Sequence, residues 1–395
     1  MNKRILFPLF VINFIVYFVG AGLLPLLPLY AKGFGISATG IGFYIAFIFA
    51  AITLGTALTA RLSYRFSTRI LLLFSGIMGI PALALLGRSS AFWQVVLLTA
   101  VVWFLAGMGT ALVNIQAGLH APLDKRGKSF GIMFLALPVA SLVAGLSVGR
   151  LIDWQSFRFM FDVLAVLWAF WPVMAVVGPN EKPDRGPGQK TTAVRRDKPA
   201  FSAIFYLLVV TTLLSATTYY LTRLGTTFSM SALGFPASAI SGTSSIGGLV
   251  AIPTTYLIGS LSDRLSRKYV VILGYGFAVL ATLTMSVAHN LWLFWLATGM
   301  LYMSRSINGS VAPALATDLL NRESLGRGLS YLGAVNWMAG IFGSAIAGFG
   351  IENLGQMNLF LLAAGLATMA IVLMISFSNV HPKPAAVEIV ASSSI

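Results

Sequence analysis

Long apolar stretches fill most of the chain, and short polar breaks separate them. An apolar stretch of about 20 residues is long enough to cross a bilayer as a helix. On this criterion the sequence predicts twelve membrane spans, at residues 5–30, 36–60, 69–88, 91–116, 129–151, 156–178, 201–226, 235–260, 268–288, 291–317, 327–350 and 356–378. The pattern is typical of an all-α integral membrane protein.

The breaks between these spans carry most of the charge. Four of them, 61–69, 124–128, 263–268 and 318–327, are short and charged. The break at 178–199 is longer, rich in proline and mixed in charge, which is typical of a linker. It falls at the middle of the chain.

This linker divides the chain into predicted domains. They are an N-terminal six-helix bundle at 1–178, a cytoplasmic linker at 179–200, a C-terminal six-helix bundle at 201–378 and a cytoplasmic tail at 379–395.

The distribution of Lys and Arg predicts the orientation of the spans. Only 9% of the residues are charged, yet the net charge is +15. With the N-terminus inside, 20 of the 26 Lys and Arg residues fall in inside segments, four in outside segments and two within spans. Lys and Arg accumulate in cytoplasmic loops. We therefore expect both termini in the cytoplasm, a location in the plasma (inner) membrane, and no binding of nucleic acid.

The two halves of the sequence resemble each other at a shift of 199 residues. The matching positions fall at corresponding loops and helix ends: Gly35 with Gly234, Arg65 with Arg264, Ser67 with Ser266, Trp93 with Trp292, Asp124 with Glu323, Lys128 with Arg327, Gly149 with Gly348 and Asp153 with Glu352. A parallel repeat of six helices is a transporter architecture, with the substrate site near the midplane between the halves.

The break after span 8 carries the most specific motif. Residues 259–268 read Gly-Ser-Leu-Ser-Asp-Arg-Leu-Ser-Arg-Lys. This stretch resembles the cytoplasmic loop signature of the major facilitator superfamily, and the resemblance covers essentially the whole chain. It implies two six-helix bundles related by a pseudo-two-fold axis and transport by alternating access. Pro138, Gly145 and Gly149 in span 5 resemble the Gly- and Pro-rich pattern of the drug and metabolite efflux (antiporter) branch. The alternative is that these small residues serve close packing of helices.

The resemblance implies a conformational latch around this loop. Asp263 would meet the N-terminus of a neighbouring helix in one conformation, where the helix dipole favours an anion. The predicted latch residues are Gly259, Asp263, Arg264, Arg267, Lys268, Asp318 and Arg322. The first half departs from the signature, because Tyr64 stands where the acidic residue is expected.

Arg305 is the strongest candidate for a site residue inside the membrane. A charge at the bilayer centre costs about 2.5–3.5 kcal/mol on insertion scales, so it suggests a function. Tyr302, Arg305 and Asn308 share one helix face. A guanidinium offers a fork of donors to a carboxylate or phosphate. The alternatives are a structural arginine bonded to carbonyl groups or helix ends, and a part in a proton or charge relay.

Two further charged residues lie near the outer ends of spans. Arg223 follows Tyr219 and Tyr220 in span 7, where it either helps to hold an anion or extends to the lipid headgroups. Asp162 in span 6 has Arg158 one turn before it, which predicts a local ion pair.

Neutral polar residues complete the predicted substrate site. Those on the spans expected to line the cavity are Asn13, Tyr17, Asn114, Asn336 and Trp337. Each has the alternative role of an interhelical hydrogen bond.

These residues favour a secondary carrier that exports a small organic anion or zwitterion. The alternatives are a proton-coupled multidrug efflux pump for lipophilic neutral compounds and a lipid flippase. No nucleophile–base constellation suggests an enzyme, and we expect no cofactor and no metal. The expected partners are a small-molecule substrate and membrane lipids, with possible coupling to protons, and the expected state is a monomer.

Overall fold

A computed structural model describes residues 3–120, 126–178, 201–320 and 322–376, in which every regular element is a helix. The predicted linker at 179–200 and the tail at 379–395 lie outside the described residues. The helices are α1 (Lys3–Leu23), α2 (Leu27–Lys32), α3 (Ala38–Leu62), α4 (Thr68–Leu86), α5 (Phe92–His120), α6 (Arg126–Trp154), α7 (Phe157–Trp168), α8 (Phe170–Val177), α9 (Ala203–Ala232), α10 (Ala237–Arg264), α11 (Arg267–Ser286), α12 (Leu291–Leu319), α13 (Arg322–Asn353) and α14 (Gly355–Ile375).

Proline breaks two of the predicted spans. The predicted span 5–30 consists of α1 and α2, separated near Pro25, and α2 begins with a proline in its first turn. The predicted span 156–178 consists of α7 and α8, which meet at Ala169, three residues before Pro172. Proline cannot donate the helical hydrogen bond to the residue four positions earlier. The related helices α9 and α14 contain no proline and are continuous.

Several helices are longer than their apolar stretches. The predicted break at 318–327 is wrong in extent, because α12 ends at Leu319 and α13 begins at Arg322. Likewise, α6 begins at Arg126, inside the predicted break 124–128. Charged residues are compatible with a helix once it leaves the hydrocarbon region, so hydropathy alone underestimates helix length.

Side chains of serine and asparagine fix where several helices begin. Ser37, Ser67, Ser156 and Ser202 each accept a hydrogen bond from the backbone N–H three residues later, at 3.2–3.4 Å. Asn290 does the same for α12 at 2.9 Å. These bonds satisfy N–H groups that lack an intrahelical partner.

The fourteen helices form twelve spans in two six-helix bundles. Ten stretches of the described residues are long and apolar enough to cross a membrane. The two remaining long helices, α10 and α12, are less apolar because they are rich in Ser, Thr and Gly, and α12 also carries Arg305. Within each half the same pairs of related helices pack together, for example α1 with α6 and α9 with α13.

The repeat is visible in backbone geometry as well. Gly35 and Gly234, which the 199-residue shift aligns, have φ values of 75° and 76°. Glycine adopts this left-handed conformation without steric cost. The turns before α3 and α10 are therefore built in the same way.

Two pairs of helices make most of the contacts between the halves, α3 with α13 and α6 with α10. We call the side where α1 begins and α8 ends the linker side, and the side where α3 and α10 begin the far side. The backbones of α3 and α13 lie close together at Gly42 and Gly348, near the far side. On the other pair, Ser241 Oγ donates to the carbonyl oxygen of Gly145 at 2.8 Å. The far side is closed by these contacts.

Candidate functional site

The C-terminal half lines a partly open cavity, in which the empty space, including the part open to solvent, is about 500 Å³. Its wall is formed by α9, α11, α12 and α13. The lining residues are Thr212, Ser215, Ala216, Tyr219, Ala278, Leu301, Ser304, Arg305, Asn308, Gly309, Ala312, Pro313, Leu332 and Asn336. The cavity therefore combines small and polar side chains with one cation.

Arg305 lies in this wall and is partly buried. Its Nη1 donates a hydrogen bond of 2.6 Å to Oδ1 of Asn336 on α13. The Asn336 amide nitrogen in turn donates to the carbonyl oxygen of Leu332 at 3.2 Å. Two of the predicted site residues are thus in direct contact, and the guanidinium is held by a neutral partner.

Aromatic rings surround the same guanidinium. The Cζ atom of Arg305 lies 5.3 Å from the ring centroid of Tyr219 and 5.9 Å from that of Tyr220. Tyr302 packs edge-on against Tyr219, with centroids 5.6 Å apart. Each cation–π contact contributes about 0.5–2 kcal/mol, depending on how far the cation is desolvated. The rings orient the charge without neutralising it.

Arg223 adds a second positive charge to this region. It lies near the same three tyrosines, Tyr302, Tyr219 and Tyr220. It lines a smaller space of about 290 Å³ between the halves, together with Phe49 and Ser344. Arg223 and Arg305 therefore act on one cluster of rings.

None of the residues that line either space is acidic, and all of them belong to the described part of the chain. Two guanidinium groups near one ring cluster create a positive potential in a medium of low dielectric constant, where charges interact strongly. The described lining of the two spaces therefore carries positive charge without a compensating carboxylate.

Asn308 was predicted to contact substrate, but its amide makes contacts within the C-terminal half. Its Nδ2 donates to the carbonyl oxygen of Ser304 at 3.0 Å. Its side chain packs beside Gly274 of α11, and its Oδ1 is buried without a hydrogen-bond partner. Asn308 lies in the wall next to Arg305, but much of its amide faces α11.

Four predicted site residues do not line the Arg305 cavity. Three of them are in the N-terminal half, and the fourth is Trp337 of the C-terminal half. Asn13 is buried, and its Nδ2 donates to the carbonyl oxygen of Met133 at 3.1 Å. This bond ties α1 to α6. Tyr17 is partly buried on α1, and Asn114 is exposed on the half of α5 nearer the linker side. Trp337 packs against the apolar core that is built mainly from the N-terminal half.

Tyr220 also belongs to the site, although the sequence analysis named it only as a neighbour of Arg223. Its ring contacts Phe49 of α3, with centroids 4.8 Å apart. Phe49 also packs against Gly340 of α13. Tyr220 therefore connects the Arg305 cavity to the other half of the molecule.

The predicted ion pair between Asp162 and Arg158 is wrong. Asp162 instead pairs with Arg88, at 2.5 Å from Nη1 to Oδ1. Arg88 follows the end of α4, and the long reach of its side chain brings it to α7. Residue spacing predicts which side chains are neighbours on one helix. It does not predict which side chain of another helix lies beside them.

The predicted latch residues whose side chains are described bind within the C-terminal half. Arg267 Nη1 donates to Asp318 at 2.7 Å and to the carbonyl oxygen of Ala314 at 2.9 Å. Lys268 Nζ donates to the carbonyl oxygen of Ile375 at 3.3 Å. The side chains of Gly259, Asp263, Arg264 and Arg322 lie outside the described residues. The latch role of this loop stays a prediction.

Two acidic residues at the far side were not predicted to have a role. Asp153 accepts hydrogen bonds from the backbone of Ala237 and Ser238, and Glu352 accepts one from Thr39. Both acids appear in the internal repeat, as an aligned pair at the ends of spans 5 and 11. Their alignment in the repeat could have suggested a shared role. Their partners could not be predicted, because every residue type except proline carries a backbone N–H group.

A family model places the chain among known proteins. The model of the Major Facilitator Superfamily matches residues 9–253 and 229–392, which is most of the chain. The chain belongs to the Major Facilitator Superfamily. Its members of this type are membrane transporters, so the predicted superfamily and fold are confirmed and an enzyme is not indicated.

The relatives within the superfamily include multidrug resistance proteins. The chain is 24% identical over 380 residues to the multidrug resistance protein MdtG of Proteus mirabilis, covering 90% of this chain and 92% of that protein. It is 25% identical over 360 residues to the protein of the same name from Escherichia fergusonii, covering 86% of each. These likenesses agree with the predicted efflux branch.

Solved structures share the fold at low sequence identity. A structure of the nucleoside transporter NupG superimposes with a TM-score of 0.79 at 13% identity, covering 96% of this chain and all of the other. A bacterial homologue of the human lysosomal transporter Spinster gives a TM-score of 0.77 at 16% identity, covering 94% and 96%. At such identities the likeness shows the superfamily fold and leaves the substrate to be argued from the site.

Proposed function

We propose that this transporter of the Major Facilitator Superfamily exports small organic anions or zwitterions by alternating access. The observation that supports the anionic substrate is the pair Arg305 and Arg223, which share a tyrosine cluster and lack an acidic neighbour among the residues lining the two spaces. A buried charge is stabilised by an opposite charge and by hydrogen bonds. The substrate would supply the missing negative charge.

The contacts of Arg305 leave room for such a ligand. Asn336 takes a hydrogen bond from Nη1, and the tyrosine faces cover part of the guanidinium. A guanidinium has five N–H donors. Donors remain for a carboxylate or phosphate in the cavity, and Ser215 and Ser304 add hydroxyl groups to its wall.

The proposed orientation is compatible with export. With the N-terminus inside, the linker side faces the cytoplasm and the closed far side faces outward. The residues Gly309 and Ser310, on the half of α12 nearer the linker side, are exposed. The cavity is therefore approached from the cytoplasmic side in this conformation, which is the state in which an exporter collects its substrate and an importer releases it.

A panel of ligands tests the charge preference. Purified protein is screened by thermal unfolding against carboxylates, phosphonates, zwitterions, cations and uncharged esters of the same acids. Binding to the folded state raises the unfolding temperature. We expect the acids to stabilise the protein and their esters to have little effect. Stabilisation by cations alone would contradict the proposal.

A second candidate function is efflux of lipophilic neutral compounds. The name of the MdtG relatives and the three tyrosine rings around the cavity favour it. In that case the acids and their esters would stabilise the protein equally. Replacement of Arg305 would then leave ligand binding unchanged, which separates the two candidates.

A further inference from the structure

The N-terminus of α10 is bound by an acidic residue from the other half. Asp153, next to the end of α6, accepts hydrogen bonds from the N–H groups of Ala237 at 3.0 Å and Ser238 at 2.9 Å. These are the first two residues of α10. The first N–H groups of a helix have no intrahelical partner, and the helix dipole favours a negative charge there. Asp153 therefore caps a helix that belongs to the opposite bundle.

The N-terminus of α3 is bound in the same way from the other direction. Glu352, next to the end of α13, accepts a hydrogen bond of 2.6 Å from the N–H of Thr39. Thr39 is the second residue of α3. Each half thus offers one carboxylate and receives one.

The two contacts are related by the internal repeat. The shift of 199 residues that aligns Asp153 with Glu352 also aligns Thr39 with Ser238. Donor and acceptor therefore correspond in both contacts. The same interaction occurs twice, once on each pair of helices that joins the halves.

The caps depend on how the two halves are arranged. In transporters built from such repeats, access alternates when one half rocks against the other. Opening the far side separates α10 from α6 and α3 from α13, so both carboxylates and three N–H groups lose their partners. By contrast, the ion pair of Asp162 with Arg88 lies within one half and survives that movement.

We propose that Asp153 and Glu352 form a reciprocal latch that stabilises the conformation closed at the far side. This role is independent of the molecule that is carried. Each cap stabilises only the conformation that is closed at the far side. Removing a cap therefore shifts the population toward the conformation that is open at the far side. The latch stands on the side opposite to the predicted one around Asp263.

Spin labels on the far side measure this shift. The chain has no cysteine, so Ser90→Cys and His289→Cys introduce two unique labelling positions. These exposed, repeat-related positions lie in the α4–α5 and α11–α12 connections of opposite halves. Pulsed electron resonance on the full chain in lipid nanodiscs gives the distribution of distances between them.

We expect a short distance in the parent and a longer component in the variants. A helix cap of ordinary strength changes an equilibrium about fivefold, so Asp153→Ala and Glu352→Ala should each raise the ratio of open to closed molecules about fivefold. The double variant should raise it about 25-fold if the two caps are independent. Size-exclusion chromatography confirms that each variant is folded.

Asp162→Ala is the matched control, because it removes a far-side acid that does not join the halves. It should leave the distance distribution as in the parent.

Ala237→Pro tests the same contact from the donor side. It removes one of the N–H groups that Asp153 binds, at the first helical position, where proline is tolerated. This variant should resemble Asp153→Ala. An unchanged distribution in the double variant, or an equal change in Asp162→Ala, would overturn the proposal.

Discussion

The hydrogen bond from Arg305 to Asn336, 2.6 Å long, connects α12 to α13 across the wall of the cavity. It pairs a cation with a neutral amide, so the bond fixes the guanidinium in place and leaves its charge uncompensated. A carboxylate in the same position would have formed an ion pair and cancelled the field in the cavity. Under the proposed function, asparagine at this position keeps the charge of Arg305 available to an anionic substrate.

Arg305→Ala should weaken binding of an organic anion by roughly 10- to 100-fold, since a hydrogen bond to a charged group contributes about 1.5–3 kcal/mol. The measurement is a titration of purified protein with the best acid from the ligand panel, followed by uptake into inverted vesicles. Arg305→Lys is the control, because it keeps the charge but loses the planar fork. It should bind more weakly than the parent and more tightly than the alanine variant. Equal affinity in all three would exclude Arg305 from the site.

Asn336→Asp tests whether the uncompensated charge decides the specificity. The new carboxylate would lie beside the guanidinium and form an ion pair, and an opposite charge at this distance cancels most of the field on a third group. Anions should therefore bind poorly, while neutral compounds of the same shape keep their affinity.

The comparison variant is Asn336→Ala, which removes the amide and leaves the charge of Arg305. It should retain a preference for acids over their esters, measured by the same thermal unfolding assay. If the Asp and Ala variants showed the same preference, the charge of Arg305 would not govern selection.

The sequence predicted much of the fold because hydropathy and the repeat carry that information. Span positions follow from runs of apolar residues, and related helices begin at matching positions, such as α5 at Phe92 and α12 at Leu291. The breaks between α1 and α2 and between α7 and α8 were missed. Pro25 and Pro172 lie near them, but proline alone does not predict a break, because α6 and α12 continue through Pro138 and Pro313. The apolar run continued past each proline, and hydropathy does not register the lost hydrogen bond.

The site was predictable only in part, for a physical reason. Arg305 and Asn336 were both chosen because a polar residue in a membrane span requires an explanation. Their contact was not predictable, since 31 residues separate them and they lie on different helices. Asn13 was chosen by the same rule, yet it binds a backbone carbonyl. Residue type indicates that a group needs a partner, whereas packing determines which partner it finds.

The glycine contact between α3 and α13 should control closure of the far side. A Cβ atom added at Gly42 would lie 2.7 Å from the backbone oxygen of Ser344 and 2.8 Å from Cα of Gly348. Both neighbours are backbone atoms, which cannot move aside as a flexible side chain can. Gly42→Ala should therefore force the two helices apart, at a cost of about 1–3 kcal/mol to the closed state.

Accessibility of the far side to a membrane-impermeant thiol reagent measures this effect, with Ser344→Cys as the reporter near the contact. Labelling should be faster in the Gly42→Ala background than without it. Gly365→Ala provides the control, because a Cβ at Gly365 has no neighbour within 4 Å. Labelling rates that are identical in the two glycine variants would show that this contact does not limit closure.

Asp318 should matter less than its place in the predicted latch suggests. Its partner Arg267 lies in the same half, and the two side chains are 34% and 32% exposed. Ion pairs of this exposure contribute about 0–1 kcal/mol. Asp318→Ala should therefore lower the unfolding temperature only slightly and leave the spin-label distances of the far side unchanged. Because α11 and α12 move together as parts of one bundle, breaking their ion pair cannot favour either conformation of the transporter. A shift of the distance distribution toward the closed state of the far side in Asp318→Ala would show that Asp318 contacts the N-terminal half when the linker side is closed, and would restore it to the predicted latch.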